Sequence, residues 1–261
     1  MEISIVVPTR NEAGNIRPLL QRISQATAGI PCEVIFIDDS TDDTPAVIRR
    51  AKEECPMPVL LEHREKNGGL ASAAARGFEL ANGRFLAVMD ADLQHPPEIL
   101  RSMYSAVLKG ADLCAPSRFL PGGGGGNQKG VRRFISFSAR WMGKAMIPRI
   151  RRMTDPTGGL FLFRRDLLKE TRLQPVGWKI LIEIVAVCPC RRIVEIPYEF
   201  QGRNSGESKI SLRVTAEYIR QLLSLRRRSR RDRVEVKAWD PEEVRKSLTE
   251  LEGRLHETKT A

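Results

Sequence analysis

The strongest constraint on this chain is an alternation of two hydrophobic periods. Across roughly the first 115 residues, short apolar runs and amphipathic helical patterns follow one another four times, and a fifth run closes the series. Ile3 to Pro8 is a β-branched run ended by proline, with a helical pattern after it to about Ala28. Cys32 to Ile37 passes through an acidic turn, Asp38 to Thr44, into a helix from Pro45 to about Glu54. A third strand is predicted near Val59 to Leu61. After it Lys66 to Leu70 opens a small-residue helix, Ala71 to Ala81, whose alanines and Gly77 suit close packing on a sheet. Phe85 to Met89 is the fourth run and Asp112 to Pro116 the fifth. This order makes βαβ units and an α/β fold, Rossmann-like, with a mostly parallel sheet sandwiched by helices. Right-handed crossovers then bring the strands' carboxyl ends to one edge. Thr9–Glu12, Asp38–Asp39, Lys66–Gly69 and Asp90–Gln94 would all meet there. The fingerprint G-x-G-x-x-G is absent after the first strand, which disfavours a nicotinamide enzyme.

The densest chemistry lies in RFLAVMDADLQHPPE, residues 84–98. Asp90 and Asp92 stand one residue apart at the carboxyl end of a predicted buried strand, where ligands bind in open α/β sheets. Two carboxylates there can share a hard divalent cation, Mg²⁺ or Mn²⁺, with Gln94 as a third oxygen ligand. Taken alone, the same pair also suits a solvated turn. Pro96, Pro97 and Glu98 fit the first turn of the next helix.

Beyond Pro116 the character changes. Residues 1–112 hold 12 Lys/Arg against 16 Asp/Glu, a net of −4; residues 113–261 hold 31 against 16, a net of +15. The asymmetry points to a polyanionic partner: nucleic acid, anionic lipid headgroups or phosphorylated substrates. Five glycines, Gly122 to Gly126, read as a mobile loop, either a linker or a lid. Val131 to Ile150 mixes Phe134, Phe137, Trp141 and Met142 with Arg132, Arg133, Arg140 and Lys144, a pattern for an interfacial amphipathic helix or a core-facing one. Strands are predicted at Leu160 to Phe163 and Arg192 to Pro197, with an apolar helix containing Glu183 between them. Arg203 and Lys209 flank a polar, Gly-containing loop able to close on phosphates. A helix from Ser211 to about Leu225 runs into Arg226–Arg231. Pro241 to about Glu257 carries a heptad-like stripe that packs on the domain or on a second chain. Met1 runs almost directly into the first strand, so no signal peptide is expected, and no 18-residue apolar window predicts a transmembrane span. The odd count of five cysteines suggests neither a disulfide framework nor a zinc site.

In order, PTRNE (8–12), DDSTDDT (38–44), KNGGLASAAARG (66–77), DADLQHPPE (90–98), SRF (117–119), RRFIS (132–136), DPTGGLFLFRR (155–165), GWKILIE (177–183) and RNSGESK (203–209) resemble the polyprenol-phosphate mannosyltransferases, or dolichol-phosphate mannose synthases. These are inverting, family 2 glycosyltransferases of the GT-A fold. The resemblance covers about residues 1–225 as the catalytic domain and leaves 226–261 as a basic segment and short C-terminal helix. It implies that Pro8, Arg10, Glu12, Ile37 and Asp39 hold the nucleoside, with Ala91 beside them in the donor site. It implies Mg²⁺ or Mn²⁺ on Asp90, Asp92 and Gln94. Arg118, Lys179, Arg203 and Lys209 would bind donor and acceptor phosphates, and Arg132 and Ser136 the lipid phosphate. Arg10 stands where the family usually has Tyr, the acidic turn is one residue shorter, and Gly158 replaces a usual Ser. The first two bear on GDP against UDP.

The expected activity is metal-dependent transfer of a hexose, with mannose from GDP-mannose first among donors, onto a polyprenyl or dolichyl phosphate with inversion. A UDP-glucose or UDP-N-acetylglucosamine donor is the alternative. The enzyme would sit peripherally on an anionic membrane at its cytoplasmic face, or be carried there by a membrane partner subunit. His63 and His256 lie outside the rim motifs, and His95 is read as shaping its turn; an ionised acceptor phosphate needs no general base. A basic binder of nucleic acid would show damage at the rim. Asp90, Asp92, Gln94, Arg203 and Lys209 are all in place, and no nucleic-acid partner is expected. The Q-x-x-R-W motif of processive synthases is absent.

Overall fold

Side chains of the first strand, β1 (Ile3–Thr9), divide between two cores: Ile3, Ile5 and Val7 face one way and Val6 the other. That period of two is what a strand covered on both sides requires. The structure is a computed structural model describing the chain except residues 66–67, 125–129, 202–211 and 261. The series continues with α1 (Ala13–Ala26), β2 (Cys32–Asp38), α2 (Thr44–Glu54), β3 (Val59–His63), α3 (Leu70–Leu80), β4 (Phe85–Val88), α4 (Ile99–Leu108) and β5 (Leu113–Ser117). Then come α5 (Gly130–Met146), β6 (Phe161–Arg164), α6 (Ile180–Val187), β7 (Arg192–Pro197), α7 (Leu212–Arg228), β8 (Glu235–Ala238) and α8 (Pro241–Thr260).

The strands form one sheet in the order β3-β2-β1-β4-β6-β5-β7-β8. Neighbours are parallel except at β6, which runs antiparallel to both β4 and β5. The α/β sandwich and mostly parallel sheet are as expected. The reversal at β6 is new, and it brings the segment before β6 to the same rim as the carboxyl ends of the other strands. One core joins the sheet to α1, α2, α4 and α8 through Ile16, Leu19, Ile48, Leu100 and Leu251. The other joins it to α3, α6 and α7 through Ala71, Ala74, Ile182 and Leu222. Helix α6 is buried on every side, Glu183 included, as an all-round apolar helix must be. Glu183 is matched there by the backbone N–H of Gln174 (2.6 Å) and by Arg228 (3.2 Å).

The segment 226–261 does more than a basic stretch and a short helix. It supplies β8, which pairs with β7, and a 20-residue α8. Strand β8 is EVKA with three of its four residues exposed, so it lacked an apolar signal. Of the two expected docking surfaces for the terminal helix, the domain itself is used. Ser105 donates to the Ser247 carbonyl at 3.0 Å, Lys109 pairs with Glu250 at 2.7 Å, and Leu251 is buried.

Helix α3 crosses β1 at Gly77, where a Cβ would run into the Val6 side chain. Gly77→Ala should therefore lower stability by about 1–3 kcal/mol through overpacking. Gly14→Ala, at a helical position with open space around it, should be neutral or stabilising by about 0.5–1 kcal/mol. Urea unfolding of the two variants reads both.

Candidate active site

Between β1 and β4 the strand order reverses, and in open α/β sheets such a switch point is where a ligand crevice lies, outside the strands' carboxyl ends. Among the described residues, two non-glycines have left-handed backbone, Asn11 (φ 58°) and Leu93 (φ 59°), and both border this crevice. Asn11 N–H donates to Ser40 Oγ (2.8 Å), and Thr41 N–H donates to Asn11 Oδ1 (2.9 Å). Glu12 N–H donates to Thr44 Oγ1 at 3.0 Å. The loops after β1 and β2 are thereby stitched together. The turn at Leu93 lets Gln94 N–H reach Asp92 Oδ1 at 3.1 Å.

At the carboxyl end of β2, Asp38 and Asp39 are already engaged. Asp38, fully buried, accepts from Ser40 Oγ (2.5 Å) and lies 2.6 Å from His63 Nδ1. Asp39 takes a two-pronged contact from Arg64, Nε and Nη2 each at 2.6 Å, plus the Gly68 N–H at 3.2 Å. Arg64 in turn donates to Ser72 Oγ at 3.0 Å. His63, set outside the rim by the sequence reading, is thus at the rim, and Arg64 was missed. Their signal was available: His63 ends the third strand and Arg64 follows it, on the same edge as the acids. Arg10 is exposed, and Glu12 accepts from Asn15 Nδ2 at 2.6 Å. Ile37 is fully buried in the α3-side core and Ala91 is buried, while Pro8 is half-buried in its strand.

The carboxylate turn is the centre of the crevice. Asp90 keeps 30% of its side chain exposed, while Asp92 and Gln94 are buried. Gln94 Nε2 donates to the Gln201 carbonyl (3.3 Å), and Gln201 N–H donates to the Gln94 carbonyl (2.9 Å), tying the turn to the loop after β7. His95 does shape the turn. Its Nε2 lies 3.6 Å from Asp90 Oδ2, its Nδ1 3.1 Å from the Tyr198 hydroxyl, and its ring stacks on Tyr198. The strand β6 begins just past Gly159, where a Cβ would collide with the Asp90 carboxylate. Only a bare backbone can pass there. Asp90, Asp92 and Gln94 offer oxygen donors from one turn, and no group of three His, Cys, Asp or Glu able to hold a metal occurs among the described residues. Hard oxygen donors with few protein ligands fit Mg²⁺ or Mn²⁺ that keeps positions for phosphate.

Two cations expected to meet phosphates contact the segment before β6, Arg118 at Asp155 and Lys179 at Thr157. Arg118 donates to Asp155 through Nε (2.7 Å) and Nη2 (3.2 Å), and Thr157 Oγ1 donates to it at 3.2 Å. Asp155 is fully buried. Lys179 donates to the Thr157 carbonyl and lies 3.9 Å from the Trp178 ring centroid. Burial pushes the Lys179 ammonium down to about 8, against the pull of Asp155 and Asp90. Arg203 and Lys209 lie outside the described residues, as do the side chains of Arg132 and Ser136 on α5.

The sheet, its switch point and its carboxylate turn define a GT-A glycosyltransferase. Residues 4–172 match the family described as Glycosyl transferase family 2. The dolichol-phosphate mannosyltransferase of Pyrococcus furiosus is 37% identical over 226 residues, 86% of this chain; the chain spans 64% of that protein's length. The dolichol-phosphate mannosyltransferase of Saccharomyces cerevisiae is 32% identical over 86% of this chain and 87% of its own. The undecaprenyl-phosphate mannosyltransferase of Micrococcus luteus is 32% identical over 84% and 91%. Among solved structures, glucosyl-3-phosphoglycerate synthase from Mycobacterium tuberculosis, with Mn²⁺, UDP-glucose and phosphoglyceric acid, superimposes with a TM-score of 0.64. It is 20% identical over 88% of this chain and 81% of its own, a likeness of fold alone. The chain belongs to glycosyl transferase family 2, among the polyprenol-phosphate mannosyltransferases.

With its pKa lowered to about 8, Lys179 is cationic below that pH and neutral above it. The Michaelis constant for the sugar donor should rise as pH passes from 7 to 9. Lys179→Arg, charged throughout, should flatten that rise in initial-rate measurements.

Proposed function

We propose that this enzyme transfers a hexose from a nucleotide sugar, GDP-mannose before UDP-sugars, onto a polyprenyl phosphate, with inversion, at the cytoplasmic face of a membrane. The observation that carries the acceptor is the continuity of Arg118 with an exposed aromatic surface. Phe119 follows it directly, 49% exposed, and the Arg140 guanidinium lies 4.0 Å from the Phe119 ring centroid and 5.5 Å from that of Phe137. A phosphate beside Arg118 would leave its isoprenoid chain over these rings. The sequences named above support the same class of acceptor and the mannosyl donor.

Helices α5 and α7 extend this surface. Each carries more apolar residues than its core contact uses. Phe137 and Trp141 (54% and 67% exposed) lie four apart on α5, and Ile219 and Leu223 (40% and 54%) lie four apart on α7. Tyr218 OH joins the helices through the Ala139 carbonyl at 2.8 Å. Cations beside such a stripe suit an interfacial position, and no helix among the described residues is long and apolar enough to cross a membrane.

The chemistry asks for placement more than for a base. An acceptor phosphate is already a nucleophile at neutral pH, so the chain has only to hold two anions in line and offset their repulsion. Arg118 and Lys179 supply fixed positive charge, and Asp155 holds Arg118 in orientation. Asp90, Asp92 and Gln94 would hold the divalent cation, whose charge stabilises the leaving diphosphate. Direct attack at the anomeric carbon inverts it.

Labelled GDP-mannose, UDP-glucose and UDP-N-acetylglucosamine should be offered in parallel with polyprenyl phosphate and Mn²⁺. Label should enter the organic-extractable lipid from GDP-mannose and be lost in Asp92→Ala; label from a UDP-sugar instead would reassign the donor, and none from any folded sample would reject the reading. For the membrane, Phe137→Glu/Trp141→Glu should lower co-sedimentation with anionic vesicles by about tenfold or more, given the apolar area removed. Unchanged binding would remove α5 from the docking surface.

A further inference from the structure

At the opposite end of β4 from the carboxylate turn lies a cavity of about 510 Å³, lined by Arg84, Arg164, Arg165 and Lys169, with Asp166, Phe78 and Leu168. The volume is within the range of small-molecule sites. Arg84 precedes β4 and Arg164 closes β6. The ladder pairs Phe85 with Arg164, and Arg165 N–H donates to the Arg84 carbonyl at 3.0 Å. Three arginines are therefore fixed beside one another by backbone hydrogen bonds. Six extended residues separate Arg84 from Asp90, about 20 Å at 3.3 Å per residue, so this is a separate place from the catalytic crevice.

The lining carries four cations against one acid, Asp166, which interacts with both Arg164 and Lys169; Asp112 acts on Arg164 as well. Asp166 engages Arg164 at 2.5 Å, and Arg84 comes within 3.9 Å of Glu2. Arg165 and Lys169 are exposed and make no ion pair among the described residues. Cations lining one cavity repel one another unless an anion joins them, and guanidinium groups match phosphate oxygens by geometry. Phe78, 5% exposed and packed edge-on to Phe163, forms an apolar floor with half-buried Leu168. The combination suits a polyanion with a small apolar part.

We propose that this cavity is a second anion site, taking a soluble phosphorylated small molecule, a phosphate ester or diphosphate, away from the catalytic rim. It does not depend on which donor or acceptor the rim uses. The test is calorimetric titration of the metal-free full chain with inorganic pyrophosphate at low salt and with chelator, where the bare Asp90 and Asp92 carboxylates disfavour an anion at the rim. Arg165→Glu/Lys169→Glu should weaken binding by about tenfold or more, since it reverses two charges at the mouth. Arg165→Ala/Lys169→Ala should weaken it less, and Lys179→Ala at the rim should leave it within about twofold. Circular dichroism checks that these surface variants fold. No binding by the native chain, binding unchanged in the double reversals, or binding lost in Lys179→Ala alone would overturn the proposal. Phosphatidylcholine/phosphatidylglycerol vesicles form the second arm. Their co-sedimentation should not change in the Glu double variant; a fall would assign the cations to a lipid headgroup and overturn the soluble ligand.

Discussion

A carboxylate withdrawn from water, Asp155, organises the catalytic half of this molecule. Burying a lone charge costs several kcal/mol, so it must be matched by charge and hydrogen bonds. Arg118 at the end of β5 matches it, Thr157 adds a hydroxyl, and the Asp155 N–H reaches Glu195 on β7 at 3.1 Å. Thr154 N–H reaches both oxygens of Glu195, at 2.8 Å each. One residue therefore ties β5, the segment before β6, and β7. Removing Arg118 would strand Asp155 as well as remove a proposed phosphate ligand, so stability and the proposed chemistry are joined at this residue.

The reversal of β6 gives that tie its value. A parallel strand in that place would carry its preceding segment to the far end of the sheet. Running backwards, β6 brings Gly159 against the Asp90 carboxylate and sets the Asp155 segment at the same rim, with β6 itself lying between β4 and β5. Lys179, donating to the Thr157 carbonyl, is sheltered by burial and attracted by both Asp155 and Asp90.

Much of this was legible in the chain. The runs at Ile3, Cys32, Val59 and Phe85 carry their period in β-branched and apolar residues, and a parallel sheet follows from their alternation with helices. Asp90 and Asp92 stood out because they end such a run. Strand direction carries no such mark, so Phe161–Arg164 read as a strand but not as a reversed one. β8 escaped because an edge strand is short and charged by necessity. His63 and Arg64 carried a signal in their place at the end of the third strand, but their partners Asp38 and Asp39 appear only with the pairing. Likewise nothing local to SRF reveals that Arg118 finds its partner 37 residues on. Long-range charge pairing is a property of topology, and the linear pattern records only its two halves.

The two left-handed residues bordering the crevice have a consequence for how the protein wears. Each holds a backbone shape that costs of the order of 1–3 kcal/mol. Asn11 is kept there by Ser40 and Thr41, and Leu93 by its burial and by Gln94. When heat or time loosens the surroundings, these turns have the most to gain from letting go, while the strands behind them have nothing to gain. Ageing of the enzyme would start at its mouth: molecules that still scatter light and show circular dichroism as native would already have lost the shape of the crevice.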